Sequence, residues 1–170
     1  MLFRSGLAWL GGNKAKYKGN LDSAAAFVQR TLGASNPLAA AGGDANWDQS
    51  TWGYAHAALF LGELHLANGG KKPSAELQKI ADTLCVRQEL TGGYGHGPGG
   101  KNALGYIELN ILAAYVACGL SVLQQGGCKV DGAVLDKLFG YTEQSASSDG
   151  GVGYATGEGQ KGHEIGRAHV

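Results

Sequence analysis

The sequence predicts an all-α fold in which amphipathic outer helices alternate with more apolar inner ones. Three observations lead there. Apolar residues recur at spacings of three and four along several segments, the signature of helices with one buried face. Glycines cluster between those segments: there are 30 in 170 residues, against an average usage of about 7%. They follow no Gly-X-Y period, so they read as helix-joining loops and not as collagen. The segments also repeat, and helix pairs at this period belong to helical-repeat architectures.

The elements follow in chain order. A first helix is expected over 21–32, from Leu21-Asp22-Ser23-Ala24-Ala25-Ala26-Phe27. A second, over 50–67, is apolar nearly all round and is stopped by Asn68-Gly69-Gly70. A third, over 74–89, carries Leu77, Ile80, Ala81, Leu84 and Cys85 on one face. Pro73 and Ser74 mark its start, and Glu76 suits its first turn. A fourth, over 103–123, is again apolar nearly all round and stops at Gly126-Gly127. A fifth, over 131–143, repeats the amphipathic pattern through Val134, Leu135, Leu138 and Phe139. No sheet beyond incidental bridges is expected. Helices apolar on every side read as buried, so 50–67 and 103–123 should be more enclosed than 74–89.

The repeat aligns Leu21–Phe27, Leu77–Ala81 and Leu135–Phe139, each followed by Gly-Gly at 42, 92 and 150. Thr51-Trp52-Gly53-Tyr54 then aligns with Ala103-Leu104-Gly105-Tyr106, and Gly150-Gly151-Val152-Gly153-Tyr154 closes the third unit. An inner ring of helices sheathed by an outer ring is the α/α-toroid. A straight solenoid of helix pairs is the rival, because periodicity does not report ring closure.

Lys+Arg and Asp+Glu balance at 14 each, so no basic field points to nucleic acid. Cys85, Cys118 and Cys128 form no CxxC, and two of them sit in apolar helical runs, which reads as structural thiols. No uninterrupted apolar run reaches the roughly 20 residues of a membrane span, and no signal-peptide pattern opens the chain.

Both ends carry a second pattern. Leu2-Phe3-Arg4-Ser5 is encodable by CTC TTC CGA TCT, and Ile165-Gly166-Arg167-Ala168-His169-Val170 by ATC GGA AGA GCA CAC GTC. With Glu164 read as GAG, these resemble one short-read sequencing adapter in opposite orientations. Residues 1–5 and 164–170 are therefore expected to be non-native, leaving 6–163 as an incomplete toroid domain that continues into further repeats of the same chain.

Arg87-Gln88 before Gly92-Gly93-Tyr94-Gly95, and Glu143-Gln144 before Gly150-Gly151-Val152-Gly153-Tyr154, resemble the repeat motif of squalene-hopene cyclases. In that motif a glutamine precedes a glycine and an aromatic residue at the outer-to-inner turn. The resemblance covers most of 21–160 and implies the toroid fold shared by terpenoid cyclases and prenyltransferase β subunits, nearest to bacterial toroid domains of that group. It implies a structural role for the glutamine, whose amide would satisfy helix-end groups. The family's DxDD acid motif, the zinc ligands of protein prenyltransferases and the Gly-Cys-Gly-Glu-Gln thioester of complement-type toroids are all missing here.

Aligning Gly53 with Gly105 sets His56 opposite Glu108 and Glu63 opposite Tyr115, and each helix then carries its two polar groups two turns apart on one face. Polar groups on apolar helices need partners or water, so these four are expected to line one concave surface. His96, in the glycine-rich 92–100 loop, has chemistry near neutral pH. Asp48 occupies the equivalent loop of the first unit, where it is also a plausible helix cap; Asp149 and Glu158 occupy it in the third. His96, Glu108, His56 and Asp48 are the catalytic candidates, and Glu63, Tyr115, Tyr94, Asn102 and Trp52 the substrate-binding ones. Asn102 is equally a helix cap. The glycine run lacks GxxxxGK[ST] and a preceding strand, so it is no phosphate cradle. His56 and His65 face opposite sides of a helix, so no metal site forms, and no cofactor motif is present.

Two functions remain open on the sequence. One is an enzyme holding a small or chain-like ligand, isoprenoid or carbohydrate, in a central cavity. The other is a non-catalytic binding or scaffold module of a larger bacterial protein.

Overall fold

The computed structural model describes residues 14–32, 48–98, 108–146, 152–156 and 164–165. Its helices are α1 (Lys14–Leu32), α2 (Ser50–Ala67), α3 (Ala75–Val86), α4 (Asn110–Gln125) and α5 (Gly132–Ser145). Four two-residue strands accompany them: β1 (Glu108–Leu109), β2 (Val152–Gly153), β3 (Ala155–Thr156) and β4 (Glu164–Ile165). β1 pairs antiparallel with β3, and β2 with β4. The fold is all-α.

Local chemistry accounts for the outer helices. Ser74 accepts from the Leu77 amide at 3.2 Å to start α3, and Asp131 accepts from the Ala133 amide at 2.9 Å to start α5. α3 buries the single stripe Leu77, Ile80, Ala81 and Leu84, and α5 buries Leu135, Leu138 and Tyr141.

α2 and α4 form the centre and run parallel. Trp52 and Tyr115 meet near their starts, and His65 lies 3.1 Å from the Gly126 carbonyl at their ends. Between these points the seam is built from small residues. A Cβ on Gly119 would stand 2.8 Å from that of Ala58, and one on Gly62 would stand 2.8 Å from Val122 Cγ1. Missing side chains let the backbones close to a distance that larger residues forbid, and fix which residues meet. The loops at the far end abut as well. Gly127, at φ 89°, lies under the Lys71 carbonyl, and the Gln78 amide pairs both ways with the Lys129 backbone at 2.8 Å.

Three expectations need correction. α1 begins at Lys14, earlier than 21. α4 begins at Asn110, later than 103; residues 103–107 lie outside the described residues. The delay has a physical cause: the Leu109 amide donates to Tyr94 O and the Asn110 amide to Tyr154 O, each at 3.0 Å. Backbone groups taken by distant segments hold Glu108–Leu109 extended. Finally, α2 and α4 bury more of their surface than α3, yet each keeps an exposed strip. Gly53 and His56 lie on that of α2, Ala114 and Cys118 on that of α4. An apolar circumference did not mean complete enclosure.

The two glutamines of the repeat motif also differ. Gln88 follows the end of α3 and donates to Gly92 O at 3.1 Å and Val134 O at 2.8 Å, tying the turn to α5. Gln144 lies inside α5 and is exposed. Among the described residues, the turn contacts are those of Gln88.

Candidate functional site

The start of α2 gathers groups from three segments. Its first amides need acceptors. Asp48 Oδ1 accepts from the Ser50 amide at 2.7 Å, and the His96 carbonyl accepts from the Thr51 amide at 3.0 Å. Gly97 lies so close over Asp48 that a Cβ would stand 2.7 Å from its Cβ. Arg87, just past α3, donates to Ser50 Oγ at 2.8 Å and Thr51 Oγ1 at 3.1 Å, and its guanidinium lies 4.7 Å from the Tyr54 ring centroid. Burial lowers the Arg87 pKa, and the Asp48 carboxylate opposes that shift.

Beside this cap four rings converge. Trp52 lies 6.1 Å from His56, 6.0 Å from His96 and 6.1 Å from Tyr115, centroid to centroid. His56 and Tyr115 meet edge to face at 5.0 Å. Trp52 Nε1 donates to His96 Nδ1 at 2.8 Å. An indole nitrogen only donates, so His96 Nδ1 carries its lone pair and the neutral ring holds its proton on Nε2. His96 is buried, His56 is exposed, and Trp52 and Tyr115 are half-buried. Burial lowers both histidine pKa values.

A separate polar group lies at the turn after α3. Glu108, 5% exposed, accepts from Thr91 Oγ1, and its carboxyl carbon sits against Gly93 with the Tyr141 ring beside it. Glu89 Oε1 is buried without a hydrogen-bond partner among the described residues. Burial first, and Glu108 second, raise its pKa. The sequence reading passed over Glu89, Thr91 and the Arg87 contacts; the only available signal was a charged pair at a helix end.

The structure therefore brings Trp52, His56, His96 and Tyr115 together, with Asp48 next to them as a cap. It does not bring Glu108 onto the Tyr115 helix: Glu108 precedes α4 and serves the 91–93 turn. His56 meets Tyr115 at a register set by the Ala58–Gly119 and Gly62–Val122 contacts. Glu63 is half-buried further along α2. Tyr94, expected to face a ligand, is wholly buried in the core, and burial raises its pKa. Asn102, Asp149 and Glu158 lie outside the described residues. Among the described residues no metal-binding cluster occurs, and no helix is long and apolar enough to cross a membrane.

These features define an all-α protein with a ring cluster at the start of two parallel central helices. The chain belongs to the family described as Domain of unknown function (DUF6288), whose model matches residues 5–165. No curated protein and no solved structure matches it.

Proposed function

We propose that this chain is part of a terpenoid-cyclase-like α/α-toroid whose α2–α4 face binds a neutral, chain-like ligand of the carbohydrate class. One observation carries the reading: four rings from α2, α4 and the 92–98 loop converge at a face where His56 is exposed and Trp52 and Tyr115 are half-exposed. Half-exposed aromatic rings offer flat apolar surface with polar atoms at their edges, which suits a ligand with C–H faces and hydroxyl rims. The exposed His56 imidazole, held below its ordinary pKa, is neutral at pH 7 and can both donate and accept. An isoprenoid ligand is supported by the repeat resemblance alone, and a sealed apolar cavity would suit it better.

In an enzyme of this kind His56 is the group placed to act as a base, being neutral at pH 7 and exposed. Asp48 and Glu108 are engaged as a cap and as the acceptor of Thr91. The competing reading, a scaffold module, draws on the Trp52–His96 bond, which satisfies both groups internally. Calorimetric titration of the full chain with neutral oligosaccharides, and in parallel with farnesol, separates the readings. Oligosaccharide binding that Tyr115→Ala weakens about tenfold, or about 1.4 kcal/mol, supports the carbohydrate face. Binding of farnesol alone replaces it with the isoprenoid reading, and binding of neither leaves the scaffold.

A further inference from the structure

We propose that the Trp52–His96 hydrogen bond is a proton-operated latch between the 92–98 loop and the start of α2. It is closed while the imidazole is neutral and opened when the imidazole is protonated. The latch goes beyond the ligand reading and needs no ligand.

The argument begins at the bond. Trp52 Nε1 donates to His96 Nδ1 at 2.8 Å. A proton added at Nδ1 would set two N–H donors head to head at that distance. Turning the ring over gives no relief, because both nitrogens of an imidazolium are donors. The cation must therefore leave the indole, and His96 is only 5% exposed, so leaving means moving the loop. Two further contacts travel with it: the His96 carbonyl on the Thr51 amide at 3.0 Å, and Gly97 seated over Asp48.

Burial sets the direction. Arg87, on the hydroxyls of Ser50 and Thr51, is the cation beside the cap. Asp48, on the Ser50 amide, is the nearby anion, and it lies under Gly97, where an imidazolium swung outward meets it. His56 and Tyr115 stand beyond the Trp52 ring, and burial lowers the His56 pKa as well. Burial lowers the His96 pKa, so closure holds at neutral pH and release belongs to the acid side. Opening removes the acceptor from the Thr51 amide and frees the indole N–H. It thus loosens the α2 start and changes the rim of the ring cluster together.

The test is nuclear magnetic resonance on the full chain, from about pH 8 to about pH 5, following the His96 ring nitrogens and hydrogen exchange at the Trp52 indole. The expected result is a proton on Nε2 at neutral pH and a titration midpoint below about 6.5. Indole protection should fall at least about tenfold through that midpoint. His96→Gln keeps an acceptor that cannot ionise, and its indole protection should stay flat with pH. Should that variant fail to fold, Trp52→Phe serves instead: loss of the donor should raise the His96 midpoint. A neutral ring with its proton on Nδ1, an indole equally protected on both sides of the His96 titration, a pH-dependent loss persisting in His96→Gln, or a midpoint unmoved in Trp52→Phe each overturns the latch.

Discussion

His56 and Tyr115 meet edge to face across the α2–α4 seam, with ring centroids 5.0 Å apart. The contact packs an imidazole that also borders Trp52, and partial burial depresses its pKa as burial does that of His96. Both groups have ordinary values near 6.5 in the unfolded chain, which therefore takes up protons first as the pH falls. Their contribution to stability is complete above about pH 6.5 and is lost as the pH falls through the lower folded values. Urea unfolding should show a lower midpoint at about pH 5.5 than at about pH 7.5. In the double variant His56→Gln with His96→Gln the difference should shrink.

Gly92 and Gly53 should respond oppositely to alanine. Gly92 adopts φ 98°, and a Cβ there would run into the Lys137 carbonyl of α5. Gly92→Ala should destabilise by about 2–4 kcal/mol, combining left-handed strain with a backbone clash. Gly53 lies inside α2 with open space around it, so Gly53→Ala should stabilise by about 0.5–1 kcal/mol. Thermal midpoints of the two variants check the contrast.

The α2–α4 seam should tolerate no added bulk. Gly119→Val would press a branched side chain onto Ala58 Cβ and toward the Ala55 carbonyl, 3.4 Å from the position of a Cβ. A cost of about 1–3 kcal/mol is expected, as for other overpacked cores. Because the seam sets the register of the rings, the Trp52 indole resonance should also shift in this variant.

The two motif glutamines offer a matched pair. Gln88→Ala leaves the Gly92 and Val134 carbonyls without the amide they share, at about 1–2 kcal/mol. Gln144→Ala, at an exposed position, should change stability by no more than about 0.5 kcal/mol. Denaturant midpoints of the two single variants decide it.

Much of the fold was legible because it is written in local pattern. The spacing of Leu77, Ile80, Ala81 and Leu84 marked α3, Ser74 marked its start, and Gly69–Gly70 and Gly126–Gly127 marked the ends of α2 and α4. The start of α4 was not legible, since it depends on Tyr94 and Tyr154 accepting from Leu109 and Asn110, and no local window contains those bonds. The site was legible by residue and not by pairing. Trp52, His56, His96 and Tyr115 each stood out as polar or aromatic groups among apolar residues and glycines. Their meeting depends on Ala58 facing Gly119 and Gly62 facing Val122, contacts between separate helices that no local window contains. Tyr94 was misjudged for a related reason: an aromatic in a glycine-rich loop reads as exposed, yet this loop lies under Tyr141 and α5.

The most direct test of the ligand face is a two-dimensional resonance titration of the full chain with a neutral oligosaccharide, observing the Trp52 indole N–H and the His56 and Tyr115 ring protons together. The account predicts that these three shift saturably and in concert with a single affinity, while the His65 ring at the far end of α2 stays still. Saturable shifts confined to other surfaces, or no shift at these rings at any oligosaccharide concentration, would contradict it.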